Sequence, residues 1–120
     1  MKKLLFIFSF LVLLSYPVKA YMGSSFDEPI NVCASHILVE DKLQAEKLKL
    51  EIKNYKDFQQ LAAIYSKCPS GRKGGYLGCF GKGQMVKEFE KAAFEAEKDT
   101  VVGPVKTDFG YHLIWVTRKY

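Results

Sequence analysis

Two histidines and three cysteines are the side chains in this sequence best suited to proton transfer, nucleophilic attack or metal binding near neutral pH. Their spacing narrows the choice. Cys33-x-x-His36 and the ten-residue gap between Cys68 and Cys79 do not form the two-plus-two ligand pattern of a structural zinc site, so no metal is expected. A Cys–His hydrolase would need a nucleophile, a base, an orienting group and an oxyanion hole. Cys68, however, precedes Pro69 in a glycine-rich stretch, away from any evident helix N-terminus that would lower its pKa. Six glycines lie between Ser66 and Gly83, which suggests a phosphate cradle. Gly81-x-Gly83 lacks the third glycine of a dinucleotide turn, and no Gly-Lys-Ser/Thr follows a four-residue gap, so that reading fails.

Hydrophobic periodicity assigns these residues to strands and helices. Residues 32–39 form an apolar, partly β-branched run suited to a strand covered on both faces, with Ala34, His36 and Leu38 on one of them. Asp41-x-x-Gln44 and Asp57-x-x-Gln60 resemble capping boxes and predict two helices. Ala45, Leu48, Ile52 and Tyr55 form the apolar stripe of the first, and Phe58, Leu61, Ala62 and Tyr65 that of the second. A third helix is predicted over residues 85–98, with Val86, Phe89, Ala93 and Ala96 inward. Residues 101–105 lead to a turn at Asp108-Phe109-Gly110. The strand over 111–117 then places His112, Ile114 and Val116 on one face and Tyr111, Leu113 and Trp115 on the other. The order of strand, helices, short strand, helix and hairpin predicts an α+β domain with a mostly antiparallel sheet.

The chain has 120 residues, 18 Lys and Arg against 13 Asp and Glu, and 48% hydrophobic residues. That is one domain of ordinary soluble composition. Residues 1–20 begin with Lys2 and Lys3, continue through the apolar run 4–14 and end with Val18-Lys19-Ala20, the three regions of a cleavable secretory signal. The run is about half the ~20 residues of a spanning helix, so a cleaved signal with only transient membrane contact is expected, the alternative being a segment retained as an uncleaved anchor. Cleavage after Ala20 would remove Lys2, Lys3 and Lys19, leaving 15 basic and 13 acidic residues and no electrostatic footprint for nucleic acid. Residues 21–31 read as a flexible lead-in with Phe26 and Ile30 as its only anchors, and residues 32–120 as the folded domain. Three cysteines cannot all pair: in an oxidising compartment one stays free, or a locally reducing poise keeps all three as thiols, and the sequence leaves open whether Cys33 and Cys79 bond.

Ala34-Ser35-His36-Ile37-Leu38-Val39, Ser66-x-Cys68-Pro69-Ser70 and Gly74-Gly75-x-Leu77-Gly78-x-Phe80 together resemble the parvulin family of peptidyl-prolyl isomerases. Gly83-Gln84-Met85-Val86 with Phe89 and Phe94, and the stretch from Gly103-Pro104-Val105 to Gly110-Tyr111-His112, extend the resemblance to Arg118. It implies a four-stranded antiparallel sheet with about four helices, the parvulin-like or FKBP-like superfold, and neighbouring first and last strands that bring His36 and His112 side by side. It further implies a prolyl pocket of Leu77, Met85 and Phe89, with Phe109 as an additional wall. Cys68 and Thr107 would then join His36 and His112 in a hydrogen-bonded catalytic chain, without cofactor or metal.

The function implied is rotamase activity on X–Pro bonds of unfolded or partly folded exported polypeptides, in a periplasm or a secretory pathway. A monomer is the default for a lone domain. An Asp stands in place of Cys68 in some relatives, which argues against an obligatory thiol nucleophile. Relatives specific for phosphorylated Ser/Thr-Pro use a basic loop after the first strand. Here Glu40-Asp41 occupies that place and would repel phosphate. The alternative is a catalytically weak chaperone or binding module that holds exported chains in the same groove.

Overall fold

The computed structural model of the chain describes residues 28–120. The signal-peptide reading of residues 1–20 and the lead-in up to residue 27 lie outside these described residues. Strand β1 (Asn31–Val39) is followed by α1 (Lys42–Glu51), α2 (Tyr55–Tyr65) and a 3₁₀ turn (Pro69–Lys73), then by β2 (Tyr76–Gly81), α3 (Lys87–Glu95), β3 (Val101–Thr107) and β4 (Gly110–Lys119). Among the described residues the expected four helices are thus three α-helices and the 3₁₀ turn. The strands form one antiparallel sheet in the order β2-β1-β4-β3.

Alternation along the two central strands divides the interior in two. Val32 and Ala34 of β1, with Ile114 and Val116 of β4, pack under Phe89, Ala93 and Phe94 of α3. Ile37, Val39, Leu113 and Trp115 face the other way, onto Leu48 of α1 and Phe58 and Ala62 of α2. Both faces of the sheet are covered, which is why β1 reads as a nearly continuous apolar run.

Two helix boundaries differ from expectation. The second helix starts two residues before Asp57: Asn54 is its cap, accepting from the Asp57 amide at 2.9 Å, and the Asp57 carboxylate accepts from the Lys53 amide at 3.0 Å. Tyr55 therefore opens α2 and does not continue the stripe of α1. The short polar residue that meets the amide three positions on is the Asn, and the Asp serves as the back-reaching partner. Tyr65, expected to be buried, is 41% exposed at the helix end. The third helix is also shorter than the predicted 85–98: it spans Lys87–Glu95, Met85 and Val86 precede it, and Val86 is 43% exposed.

The two ends of the described chain meet. The amides of Ile30 and Asn31 both donate to the Tyr120 carbonyl, at 2.9 and 2.7 Å, and the Tyr120 amide returns a bond to Asn31. Ile30, named as an anchor, is held by this backbone bond, with its side chain 78% exposed.

Candidate active site

His36 and His112 come from the adjacent central strands and point to the α3 side, as do Ala34 and Ile114. Their rings stack with centroids 5.1 Å apart, and Nδ1 of one lies 3.0 Å from Nδ1 of the other. His112 Nε2 lies 2.7 Å from the hydroxyl of Thr107, the last residue of β3, and that hydroxyl oxygen also accepts the Phe109 amide at 3.1 Å.

These contacts assign the protons. If Thr107 donates its hydroxyl proton to His112 Nε2, neutral His112 carries its own proton on Nδ1 and donates to His36 Nδ1, leaving His36 protonated on Nε2. The reverse direction strands the Thr107 proton as well as the His36 Nε2 lone pair. The first arrangement leaves a single unpaired group, the buried Nε2–H of His36. Burial, and secondarily the positive charge His112 would carry, pushes the His36 pKa down from 6.5 to about 4. Burial also lowers that of His112. At neutral pH both imidazoles are therefore uncharged.

Above this pair lies a cavity of about 330 Å³, at the small end of ligand-binding pockets. Its floor is His36 and His112, and its walls include Leu77 of β2, Met85 from the β2–α3 turn and Phe89 of α3. Phe89 meets both imidazoles edge to face, with centroids 5.7 and 5.3 Å away, and is only 3% exposed. It is at once a wall of the cavity and a member of the core. Phe109, 67% exposed at the β3–β4 turn, forms part of the rim.

Cys68 also lines the cavity, and it is a free thiol. It does not extend the hydrogen-bonded chain: His36 Nε2 has no partner, so the chain runs from Thr107 through His112 to His36 and stops there. What fixes Cys68 is its backbone. The Ser66 hydroxyl accepts from the amides of Leu38 and Cys68, and the Lys67 amide donates to the Leu38 carbonyl, which staples this loop to the end of β1.

The sequence reading missed three lining residues, Leu38, Gln84 and Val86. Leu38 had a signal, since it lies two residues from His36 on the same face of β1. Gln84 had none in its residue type: its carboxamide oxygen accepts the Gly81 amide at 2.9 Å, which locks the turn that presents Met85.

Gly75 shows why the glycines cluster here. Its φ is +86°, its carbonyl accepts the His36 amide at 2.9 Å, and a Cβ on it would lie 2.3 Å from the His36 carbonyl oxygen. Only glycine lets the chain pass this close to β1 and start β2 beside the cavity.

Known proteins share this arrangement of strands and helices. A family model described as a PPIC-type PPIASE domain matches residues 21–120. The foldase protein PrsA of Geobacillus sp. (strain WCH70) is 53% identical over 87 residues, 72% of this chain and 32% of that protein. The crystal structure of the peptidylprolyl isomerase PrsA from Bacillus cereus matches with a TM-score of 0.72 at 45% identity, over 78% of this chain and 36% of that one. Pin from the psychrophilic archaeon Cenarcheaum symbiosum matches with a TM-score of 0.66 at 38% identity, over 79% of this chain and 97% of that one. The chain spans about a third of the length of the curated relatives it matches. With the fold, the sheet order and the family model in agreement, the chain belongs to the PPIC-type peptidyl-prolyl isomerase family, the parvulins.

Proposed function

We propose that this domain accelerates cis/trans isomerisation of X–Pro bonds in unfolded or partly folded exported polypeptides, with no phosphate requirement. One observation carries the reading: a small apolar cavity, walled by Leu77, Met85 and Phe89, sits directly on a buried pair of uncharged histidines.

Rotation about a peptide bond meets a barrier of about 18–20 kcal/mol because the C–N bond has partial double-bond character. For X–Pro the isomers are close in energy and the exchange is slow, roughly tens of seconds. Raising that rate by three to four decades takes about 4–6 kcal/mol of preference for the twisted amide over the planar one. No covalent intermediate is needed for a barrier reduction of that size.

An apolar pocket suits the pyrrolidine ring, which has no polar group to satisfy, and it keeps water away from the amide. Twisting interrupts resonance and shifts charge back from the carbonyl oxygen to the prolyl nitrogen. Surroundings that do not solvate the planar, charge-separated form favour the twisted one. In this reading His36, His112 and Thr107 act as a rigid, neutral floor whose hydrogen bonds hold the ring planes in place. Leu77, Met85 and Phe89 grip the proline, Phe109 flanks the entrance, and the Cys68 thiol is a wall group with no bond-making role.

The signal-like segment at residues 1–20 and the similarity to PrsA foldases support work outside the cytoplasm on exported chains. The deciding experiment is cis/trans exchange of a proline tetrapeptide followed by NMR, with the domain at micromolar concentration. Exchange accelerated a hundredfold or more supports catalysis. Binding of unfolded chains without acceleration would establish the holding module instead.

A further inference from the structure

The two cysteines outside the cavity are joined. Cys33 of β1 and Cys79 of β2 face each other across the ladder and form a disulfide. Val32 and Phe80, their neighbours, belong to the core under α3, so the disulfide projects from the opposite face of the sheet, away from the cavity.

The strand it holds carries much of the cavity wall. Leu77 lies on β2, and Phe80 packs on Phe89 with ring centroids 6.0 Å apart. The amide of Gly81, the last residue of β2, anchors Gln84, and Met85 follows directly. Yet among the described residues β2 is an edge strand with β1 as its only sheet neighbour, and the ladder between them shifts register between Ala34 and Ser35. An element paired on one side through an interrupted ladder is the kind that opens locally at low cost. The disulfide bridges that ladder, with Cys33 buried and Cys79 exposed to an approaching thiol.

We propose that the Cys33–Cys79 disulfide is a redox-controlled clamp on the prolyl cavity, closed when oxidised and released by a dithiol reductant. A thiolate of the reductant attacks Cys79 Sγ and Cys33 leaves as a thiolate. The second thiol of the reductant then displaces Cys79 from the mixed disulfide. Two electrons and two protons pass to the cysteine pair, which ends as two thiols, while the reductant ends as a disulfide. With the clamp released, β2 keeps its backbone ladder but opens more often, and Leu77 and the Gln84–Met85 turn move with it. Cys33 and Cys79 are thus positioning residues, acting on the substrate through the wall they hold. The inference rests on the isomerase reading for its catalytic consequence alone.

The test compares the wild type, oxidised and in dithiothreitol, with the Cys33→Ala/Cys79→Ala double variant under both conditions. Amide hydrogen exchange and proline-peptide kinetics are measured at one temperature well below unfolding. The clamp predicts that reduction speeds exchange of those β2 amides that donate to β1 at least tenfold more than in β4. It also predicts a KM raised roughly three- to tenfold with kcat changed less than twofold. The double variant should match the reduced wild type and ignore the reductant; since it retains Cys68, an effect acting through that thiol would persist in it. A disulfide of purely structural value would lower Tm on reduction and leave KM and β2 exchange unchanged, and that result overturns the clamp. If β2 exchange responds while no form of the protein accelerates isomerisation, the isomerase reading fails and the clamp on β2 stands. Should the double variant not fold, reduction of the wild type decides the matter alone.

Discussion

His36 Nδ1 and His112 Nδ1 stand 3.0 Å apart on adjacent central strands, which leaves room for one proton between two imidazoles. Protonating either ring beyond that places a charge in a buried, uncharged stack, the physical reason both pKa values are lowered. His36 titrates near 4 when folded against 6.5 as a free imidazole, so the unfolded chain takes up the proton first as pH falls. The stabilisation is complete above about pH 6.5 and is lost as pH drops towards 4. Urea unfolding at pH 7 and pH 5 should differ by about 2 kcal/mol from His36 alone, with His112 adding in the same direction. Equal midpoints, or greater stability at pH 5, would contradict the buried pair.

Thr107→Val keeps the shape of the side chain and deletes the hydroxyl that joins His112 Nε2 to the Phe109 amide. The change should cost about 1–3 kcal/mol of stability. It should also release the tautomer of His112, visible as altered ¹⁵N shifts of its ring. A His112 spectrum identical to wild type would show that Thr107 does not set the proton positions.

Cys68 and Met85 separate chemistry from shape. Both line the cavity, but no hydrogen bond links Cys68 Sγ to His36. Cys68→Asp should retain at least a tenth of the wild-type kcat/KM, whereas Met85→Ala, which removes a wall, should lose roughly tenfold or more. Phe89→Ala should lose most activity too, although at 3% exposure it should also cost about 3–5 kcal/mol of stability, so Met85 is the cleaner probe. The opposite order in a peptide cis/trans assay would make the thiol essential.

Glu40 and Asp41 lie just past Leu38, itself a cavity residue, and both are exposed. Their charges should lower kcat/KM for a phosphoserine-Pro peptide relative to its Ser-Pro parent, by about tenfold at low ionic strength and less in 0.5 M salt. Preference for the phosphopeptide would remove the basis for general X–Pro specificity.

Gly75 and Gly78 both have positive φ, +86° and +87°, but only at Gly75 would a Cβ meet backbone, whereas Gly78 has nothing within 4 Å. Gly78→Ala should cost about 1 kcal/mol, from backbone conformation alone. Gly75→Ala should cost about 3 kcal/mol or more and depress activity, because it forces β2 away from His36. Thermal melts of the two variants side by side give the comparison.

The sheet and its two-sided core were legible in sequence because β1 and β4 alternate cleanly: Ile114 and Val116 go one way, Leu113 and Trp115 the other. The helix ends were harder to place. Asn54 and Asp57 are both short polar residues able to cap, and the helix that Asn54 opens begins with Tyr55, whose hydroxyl lies 2.7 Å from that of Ser35. That contact spans 20 residues and leaves no trace in local periodicity. The same holds for Ser66 and Gln84, whose roles are hydrogen bonds to backbone amides that any residue type presents. The Cys33–Cys79 pairing depends on strand register, which composition does not encode.

The bonds joining Ile30 and Asn31 to Tyr120 bring the entry and exit of the fold within a single peptide pair. A longer polypeptide carrying this unit in its middle would leave the surrounding architecture and return to it at almost the same point. Such a module could be gained or lost without changing the separation of the segments that flank it.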